Sequence, residues 1–212
     1  MNKISAKTYG WSNAQCGGAH GYLLPKLAEL LDDVKLPNGD KKIFDLGCGN
    51  GSVASWLVRR GWKVSGVDSS EEGIAQAHKA YPDLDLRLGS AYDPLASTYG
   101  HFPVVLSLEV VEHLFDPRAF AKNCFDLVLP GGTAIISTPF HGYFKNLAIV
   151  ASGKFDSHFS PLWDGGHIKF WSESTLRTLA TEAGFVDMTF HRIGRFPLLA
   201  KSMIAVVKRP LS

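Results

Sequence analysis

Short apolar runs alternate with segments of helical periodicity along most of the chain. Five apolar runs predict strands, at 41–47, 62–68, 84–88, 102–108 and 133–138. Amphipathic segments between or after them predict helices at 52–61, 69–80, 118–129 and 172–184. Ser52 is expected to begin the first of these helices, and the Pro-Gly-Gly at 130–132 to end the third. Strands that alternate with helices need crossover connections, so this pattern favours a parallel sheet covered on both faces.

The last two apolar runs, 185–193 and 201–209, have no helical segment between them. They therefore predict an antiparallel pair at the end of the chain. The expected fold class is α/β: a single Rossmann-like, doubly wound sheet of about seven strands, mostly parallel with an antiparallel C-terminal strand. We expect one domain over residues 1–212, because this length suffices for a single core.

Two segments lie outside the alternation. Helical periodicity at 21–34, before the first strand, predicts an N-terminal helical cap within residues 1–40. Residues 140–171 are rich in aromatic residues and histidine, and they are long for a crossover loop. We interpret 140–171 as a substrate lid with a short helix from Tyr143 to Ala151, since long loops at this edge of a sheet usually carry function. The alternative is an insertion that only packs its aromatic side chains on the sheet.

Composition narrows the function class. Hydrophobic residues make up 45% and charged residues 20%, as in ordinary globular proteins. The net charge of +2 is too small to argue by itself for a nucleic-acid partner. Basic residues gather near the C-terminus, as either a solvated face or a patch that faces an anion: Arg192, Arg195, Lys201, Lys208 and Arg209. Three cysteines without a CxxC pair argue against a disulfide framework and a thiolate zinc site. No apolar run approaches the ~20 residues of a membrane span, so we expect a cytoplasmic protein.

A glycine-rich turn follows the first predicted strand. In FDLGCGNGS, Asp45 ends the strand and Gly47, Gly49 and Gly51 follow it in a GxGxG spacing, not the dinucleotide spacing GxGxxG. Glycines there let the backbone approach a ligand closely, and the following helix offers free N–H groups. Asp45 is placed to meet a cationic group, and Asp68, at the end of the second strand, to accept ribose hydroxyls. A nucleoside with a cationic amino-acid tail fits this pattern, which indicates S-adenosylmethionine (SAM).

A second polar group follows the fourth strand, in SLEVVEHLFDP. If this segment is helical, Glu109, Glu112 and His113 share one helix face because they are three and four residues apart. Carboxylate and imidazole ligands suit a divalent cation such as Mg²⁺, Mn²⁺, Fe²⁺, Co²⁺ or Zn²⁺. Two other interpretations remain open: His113 as a general base without a metal, and a structural cluster bonded to neighbouring backbone.

Four motifs in order, FDLGCGNGS, GVDSSEEGIAQA, VVLSLEVVEHLFDP and LVLPGG, resemble those of the class I SAM-dependent methyltransferases over roughly residues 20–138. The resemblance implies a cofactor site whose members hold the methionine end, the ribose and the adenine, namely Asp45, Gly47, Cys48, Gly49, Asp68, Ser69, Ser90, Ala91 and Leu108. Two positions depart from the family pattern. Pro103 stands where an aspartate is usual, and Ser90 replaces an acidic residue that often faces the adenine, so that contact falls to Asp93 or to backbone.

ExxEH followed by a histidine in GGHIKFW resembles the ubiquinone-biosynthesis O-methyltransferases and the small-RNA 3′-terminal 2′-O-methyltransferases. The resemblance implies a divalent metal held by Glu109, Glu112, His113 and His167, with His113 and Glu112 in catalysis. We therefore predict O-methylation of a small hydroxylated, aromatic or quinol-like molecule, with peripheral membrane contact through the lid. Three alternatives stay open: N-methylation of a small molecule, RNA 2′-O-methylation, and SAM binding without methyl transfer.

Overall fold

A computed structural model describes residues 13–36, 39–159, 161–163 and 165–211. Within these residues the chain forms a seven-stranded sheet whose strands are Lys42–Leu46 (β1), Lys63–Asp68 (β2), Asp85–Leu88 (β3), Phe102–Leu108 (β4), Val128–Pro139 (β5), Val186–Ile193 (β6) and Ser202–Lys208 (β7). The spatial order is β3-β2-β1-β4-β5-β7-β6. In this described sheet β7 runs antiparallel to both of its neighbours, β5 and β6, and the other strands all run in one direction. The predicted fold class is confirmed, including the antiparallel C-terminal pair.

Helices cover both faces of the sheet. The α-helices of the described chain are His20–Asp33 (α1), Ser52–Val58 (α2), Glu71–Ala80 (α3), Leu95–Tyr99 (α4), Pro117–Leu127 (α5), Tyr143–Ala151 (α6), Phe155–His158 (α7) and Glu173–Ala183 (α8). The predicted lid helix is present as α6, with the predicted bounds. Of the predicted N-terminal cap, α1 is present, and residues 1–12, 37 and 38 lie outside the described residues. No helix among the described residues is long and apolar enough to span a membrane.

The strands bury alternate side chains in two apolar layers. Phe44 of β1 packs on one face with Phe120 of α5 and Leu176 of α8. Its neighbour Ile43 packs on the opposite face with Leu23 of α1. Because β1 and β4 are buried on both faces, they read as continuous apolar runs and hold the carboxyl edge of the sheet in place.

The predicted end of α5 is wrong. The helix ends at Leu127 and β5 begins at Val128, so the Pro-Gly-Gly at 130–132 lies inside the strand. Gly131 donates its N–H to the carbonyl of Arg209 (3.0 Å), and Arg209 donates its own N–H to the carbonyl of Gly132 (3.0 Å). These bonds to the segment after β7 extend the ladder through residues that usually make a turn.

Serine side chains cap two of the helices. Ser70 accepts the N–H of Gly73 at the start of α3. Ser172 accepts the N–H of Thr175 at the start of α8, which ends at the left-handed Gly184. Helix α2 begins at Ser52, as expected, and its cap position is Gly51, at φ 74°.

Candidate active site

The glycine-rich turn folds tightly onto the end of β2. The N–H groups of Gly47 and Cys48 both donate to the carbonyl of Val67, at 2.8 and 3.0 Å. Gly47 has φ 93°, and a Cβ there would collide with the side chain of Val110. Glycine is therefore required for the backbone conformation and for the approach of the segment after β4. The turn and the ExxEH segment are in direct contact at this point.

Asp45 and Asp68 lie at this turn in different environments. Asp45 is 2% exposed, and its Oδ2 has no hydrogen-bond partner among the described residues. Burial, with a smaller contribution from the nearby charge of Asp68, raises the pKa of Asp45 to about 7. Asp68 instead accepts the N–H groups of Gly49 and Ser70, each at 2.8 Å. Burial raises the pKa of Asp68, and the two bonds oppose that rise.

An unpaired buried carboxylate oxygen at Asp45 fits the cationic amino group of SAM, because a buried carboxylate needs a partner charge or donor. The other residues of the predicted cofactor site lie at the same edge. Ser69 is exposed beside Asp68, and Leu108 is buried at the end of β4. Asp93 accepts the N–H of Ser90 at 2.7 Å, and Ala91 accepts a hydrogen bond from Asn123 at 2.9 Å. Cys48 is 5% exposed, and burial raises the pKa of its thiol.

The expected helix over the ExxEH segment is wrong. Glu109 has φ 54°, a left-handed conformation that ends β4 and turns the chain, and only Val111–His113 forms a short 3-10 helix. The turn is held by Ser137 of β5, which accepts the N–H of Glu109 both at its carbonyl (3.1 Å) and at its hydroxyl (3.0 Å). The three polar residues therefore do not share a helix face.

Glu109 makes its own buried network. Its Oε1 accepts from Ser137 Oγ (2.8 Å), and its Oε2 accepts from Ser202 Oγ (3.3 Å). Ser202 in turn contacts the hydroxyl of Tyr22 on α1 at 3.0 Å. Burial raises the pKa of Glu109 to about 7, while Ser137, Ser202 and the charge of Lys145 oppose the rise.

Glu112, His113 and His167 form a compact group whose ligand atoms all lie within 4.8 Å of one another. Glu112 Oε1 lies 3.9 Å from His113 Nε2 and 4.0 Å from His167 Nε2. Glu112 is 1% exposed, and both its carboxylate oxygens lack a hydrogen-bond partner among the described residues. Burial and the charge of Glu109 raise the pKa of Glu112. Glu109, the fourth predicted ligand, lies outside this group.

Residues 140–171, the proposed lid, place His167 at the sheet edge and orient His113. The carbonyl of Glu112 accepts the N–H groups of Ile168 (2.9 Å) and Lys169 (3.0 Å), which fixes this end of the lid beside the group. His113 Nδ1 lies 2.8 Å from the carbonyl of Gly165 and 3.1 Å from that of Gly166.

A carbonyl only accepts hydrogen bonds, so Nδ1 of His113 carries the proton and Nε2 is the basic nitrogen. Burial lowers the pKa of His113, and the two carbonyl bonds oppose this. Burial, followed by the charge of His113, lowers the pKa of His167 to about 4. Both imidazoles are therefore neutral at pH 7, which is the form that binds a metal or accepts a proton.

The group opens into a cavity of about 710 Å³ under the lid. Its lining includes the aromatic and apolar side chains Tyr22, Ile149, Trp163, Phe170 and Leu199, and also His141 and His158. The rings of His141 and His158 lie 5.6 Å apart. Sequence reasoning missed four cavity or network residues, Tyr22, Lys145, Ser137 and Ser202. No local pattern distinguishes them, because each comes from a different element.

Comparison with known proteins identifies a family. A family profile described as "Methyltransferase domain" matches residues 18–189. The ubiquinone biosynthesis O-methyltransferase of Thiobacillus denitrificans is 33% identical over 156 residues, which cover 72% of this chain and 67% of that protein. The protein of the same name from Caulobacter sp. strain K31 is 39% identical over 116 residues, or 53% of this chain and 46% of that protein. The matches thus span about half to two thirds of these relatives.

Solved structures agree on the fold. A Pyrococcus horikoshii protein superimposes with a TM-score of 0.68 at 19% identity, covering 90% of this chain and 89% of that one. Magnesium protoporphyrin IX methyltransferase from Synechocystis gives 0.63 at 20% identity, covering 88% and 81%. The resemblance inferred from the four motifs is therefore confirmed. The chain belongs to the class I SAM-dependent methyltransferases, enzymes that use SAM, and it is similar within them to the ubiquinone-biosynthesis O-methyltransferase group.

Proposed function

We propose that this enzyme methylates a hydroxyl group of a small aromatic, quinol-like acceptor bound in the cavity under the lid. The observation that carries the proposal is the position of Glu112, His113 and His167 in the wall of that cavity. The cavity volume of about 710 Å³ suits a small molecule. Trp163 and Phe170 offer flat surfaces to an aromatic ring.

SAM, when bound, supplies a methyl group on a sulfonium, so leaving-group activation comes with the cofactor. We assign the amino group of its methionine end to Asp45 and its ribose to Asp68, with Gly47, Cys48 and Gly49 against the methionine end. Ser69, Ser90, Ala91 and Leu108 would surround the adenine and the pocket wall. The contact of Val110 with Gly47 joins this site to the acceptor cavity, which is the arrangement that alignment of the two substrates needs.

Without a bound metal, His113 is the residue that would take the acceptor proton. Its Nδ1–H is held by lid carbonyls, and its Nε2 faces the Glu112 carboxylate at 3.9 Å. A neutral imidazole in this orientation accepts a proton at Nε2, and Glu112 stabilises the imidazolium that results. Glu112 therefore contributes by charge and orientation while His113 carries the proton.

The same three residues fit a divalent metal. Two ligands bonded at about 2.1 Å stand about 3.0–4.2 Å apart for bond angles between 90° and 180°. The separations of 3.9 and 4.0 Å from Glu112 Oε1 to the two Nε2 atoms fall in that range. The three ligand atoms lie within 4.8 Å of one another, so the group would contract slightly around an ion. The unpartnered carboxylate of Glu112 would become satisfied on binding a cation. A bound metal would lower the pKa of an acceptor hydroxyl. We propose Glu112, His113 and His167 as its ligands, with Glu109 outside them.

The test is transfer of labelled methyl from SAM to catechol and hydroquinone, with chelator or with added Mg²⁺, Mn²⁺, Fe²⁺, Co²⁺ or Zn²⁺. We expect methylated phenol that disappears with chelator and returns with one of the metals. His113→Asn should lower kcat at least about 10²-fold, because it removes a ligand of the metal or, if no metal is bound, the general base. His101→Asn is the matched control, because His101 is exposed and bonds only the carbonyl of Asp126 in the described structure.

Each result decides one part of the proposal. Full activity in chelator would remove the metal and leave His113 as an unassisted base. Label on an amine acceptor, with none on either phenol, would show N-methylation and overturn the proposal. Binding of S-adenosylhomocysteine with no transfer to any phenol would also contradict it.

We further propose that the lid rests on a membrane surface when it takes up an apolar acceptor. Helix α6 has no buried residues, and its exposed apolar side chains include Tyr143, Phe144, Leu147 and Val150. An amphipathic helix with such a face inserts into the interface of a bilayer. Co-sedimentation with phospholipid vesicles should fall in Phe144→Ser with Leu147→Ser, and equal sedimentation of both proteins would contradict the proposal.

A further inference from the structure

The acceptor cavity has an excess of positive charge. Four cationic side chains line it, against the two carboxylates Glu109 and Glu112, and they are Lys145, Lys154, Arg195 and Lys201. Even with both carboxylates counted as ionised, the lining carries two more positive than negative charges. Arginines elsewhere on the surface do have acidic partners, as Arg118 has Glu182 at 2.6 Å. None of the four cavity cations lies within 4.0 Å of a carboxylate in the part of the chain that the structure describes.

Lys145 is held in place by two backbone carbonyls. Its Nζ donates to the carbonyls of Phe140 (2.7 Å) and Lys201 (3.2 Å), so two of its three N–H groups are used. The two carbonyls fix the ammonium in place and leave one donor for a ligand. Burial, together with the charge of Arg195, lowers the pKa of Lys145 to about 8, and Glu109 opposes this. The group therefore keeps its charge at pH 7.

Arg195 and Lys201 come from the connection between β6 and β7. Gly194 has φ 92°, and a Cβ there would lie 3.0 Å from Cβ of Lys201, so the two ends of the connection run close together. The N–H of Lys201 also bonds the carbonyl of Ile193 at 2.9 Å. The Lys201 ammonium lies 5.2 Å from the ring centroid of Tyr22. This geometry places both cations on the cavity wall that Lys145 reaches through the Lys201 carbonyl.

We propose that the acceptor is a hydroxylated aromatic acid whose carboxylate binds Lys145 and Arg195, an inference that rests on the proposed O-methylation in this cavity. The lining of the same cavity also includes the apolar side chains Ile149, Phe170 and Leu199. An aromatic ring packed on them would present its hydroxyl to the Glu112–His113–His167 group and its carboxylate to the cations. Guanidinium and ammonium groups form strong hydrogen bonds with carboxylates.

The experiment compares catechol with its 4-carboxylate and 4-sulfonate derivatives, by calorimetric titration of the whole protein saturated with S-adenosylhomocysteine. We expect both anions to bind at least tenfold more tightly than catechol, and the ratio to fall as salt is raised. Arg195→Met, at an exposed position, should reduce the anion-to-catechol ratio about tenfold, and Lys145→Met should do the same. Lys79→Met removes an exposed charge of α3 outside the cavity and is the matched control.

The outcomes separate this inference from the function on which it rests. If catechol binds as tightly and is methylated as fast as its anionic derivatives, the acceptor is not an acid, but the proposed O-methylation stands. No binding or methylation of any of the three would count against both. Weaker S-adenosylhomocysteine binding in Arg195→Met would assign the cations to the cofactor carboxylate and overturn the proposal. Salt-sensitive binding of a short RNA, lost in the same variants, would overturn it in favour of a nucleic-acid acceptor.

Discussion

Replacing Asp45 by asparagine should stabilise the cofactor-free protein and weaken its binding of SAM. Asp45 is 2% exposed, and burial raises its pKa to about 7 from an ordinary value of 3.8. A carboxyl whose pKa is higher in the folded than in the unfolded state loses stability as pH rises from the lower value towards the higher one. Three pKa units at about 1.4 kcal/mol each give a cost of about 4 kcal/mol above pH 7.

Asparagine has the same shape and does not ionise, so the stability difference between Asp45→Asn and the natural protein should depend on pH. It should be below about 1 kcal/mol near pH 4 and should grow to about 4 kcal/mol at pH 8. For a chain of this size each kcal/mol corresponds to about 2–4 °C in Tm. Amide and protonated carboxyl both leave a polar group unpaired, so the intrinsic difference between them is small and constant with pH.

The assay is thermal unfolding of both proteins from pH 4 to pH 8, with and without S-adenosylhomocysteine. The ligand should raise Tm of the natural protein most at pH 8, where its amino group neutralises the Asp45 charge, and should raise Tm of Asp45→Asn much less. Glu109 and Glu112 also titrate, but they are common to both proteins and cancel in the difference. Parallel pH profiles of the two proteins, or equal stabilisation by the ligand, would refute the reasoning.

Three further substitutions test other parts of the site. Gly47→Ala should weaken the binding of S-adenosylhomocysteine and lower the free energy of unfolding by about 1–3 kcal/mol. Position 47 has φ 93°, and the added Cβ would collide with Val110. Titration and urea unfolding measure the two effects, and unchanged affinity would contradict the prediction. Ser137→Ala removes two hydrogen bonds from Glu109 and should lower the free energy of unfolding by about 1–2 kcal/mol. The loss should be larger at pH 8 than at pH 5, because the ionised carboxylate loses a donor. An equal loss at both pH values in urea unfolding would contradict this. Ser172→Ala removes the cap of α8 and should cost about 1 kcal/mol with no change in cofactor affinity.

Local patterns were sufficient for the sheet and for the glycine turn. β1 and β4 are buried on both faces, so their apolar character is continuous and their bounds are clear in the sequence. The helix α6 was also predictable from its own periodicity. The end of α5 was not, because Pro-Gly-Gly is paired by Arg209, a residue distant in the chain. The hydrogen bonds to Arg209 outweigh the local preference of Pro-Gly-Gly for a turn.

The acceptor site was predictable only in part. Glu112 and His113 are adjacent, and His167 stands beside a Gly-Gly pair, so three members of the group have local signals. Glu109 was placed with them on the assumption of a helix, whereas its left-handed conformation directs it to Ser137 and Ser202. Ser202 is 93 positions from Glu109 in sequence. Partners so far apart are brought together by strand order, which side-chain spacing within one segment does not encode.

The two hydrogen bonds from Ile168 and Lys169 to the Glu112 carbonyl have a kinetic consequence. Glu112 and His113 follow β4, whereas His167 belongs to residues 140–171 and would move with them if that segment opens as a lid. If the lid lifts to admit an acceptor or release a product, His167 leaves and His113 loses the carbonyls that orient it. Opening of the lid would then also take the catalytic group apart. The group would be assembled beside a bound cofactor only after the acceptor is enclosed and water has been displaced.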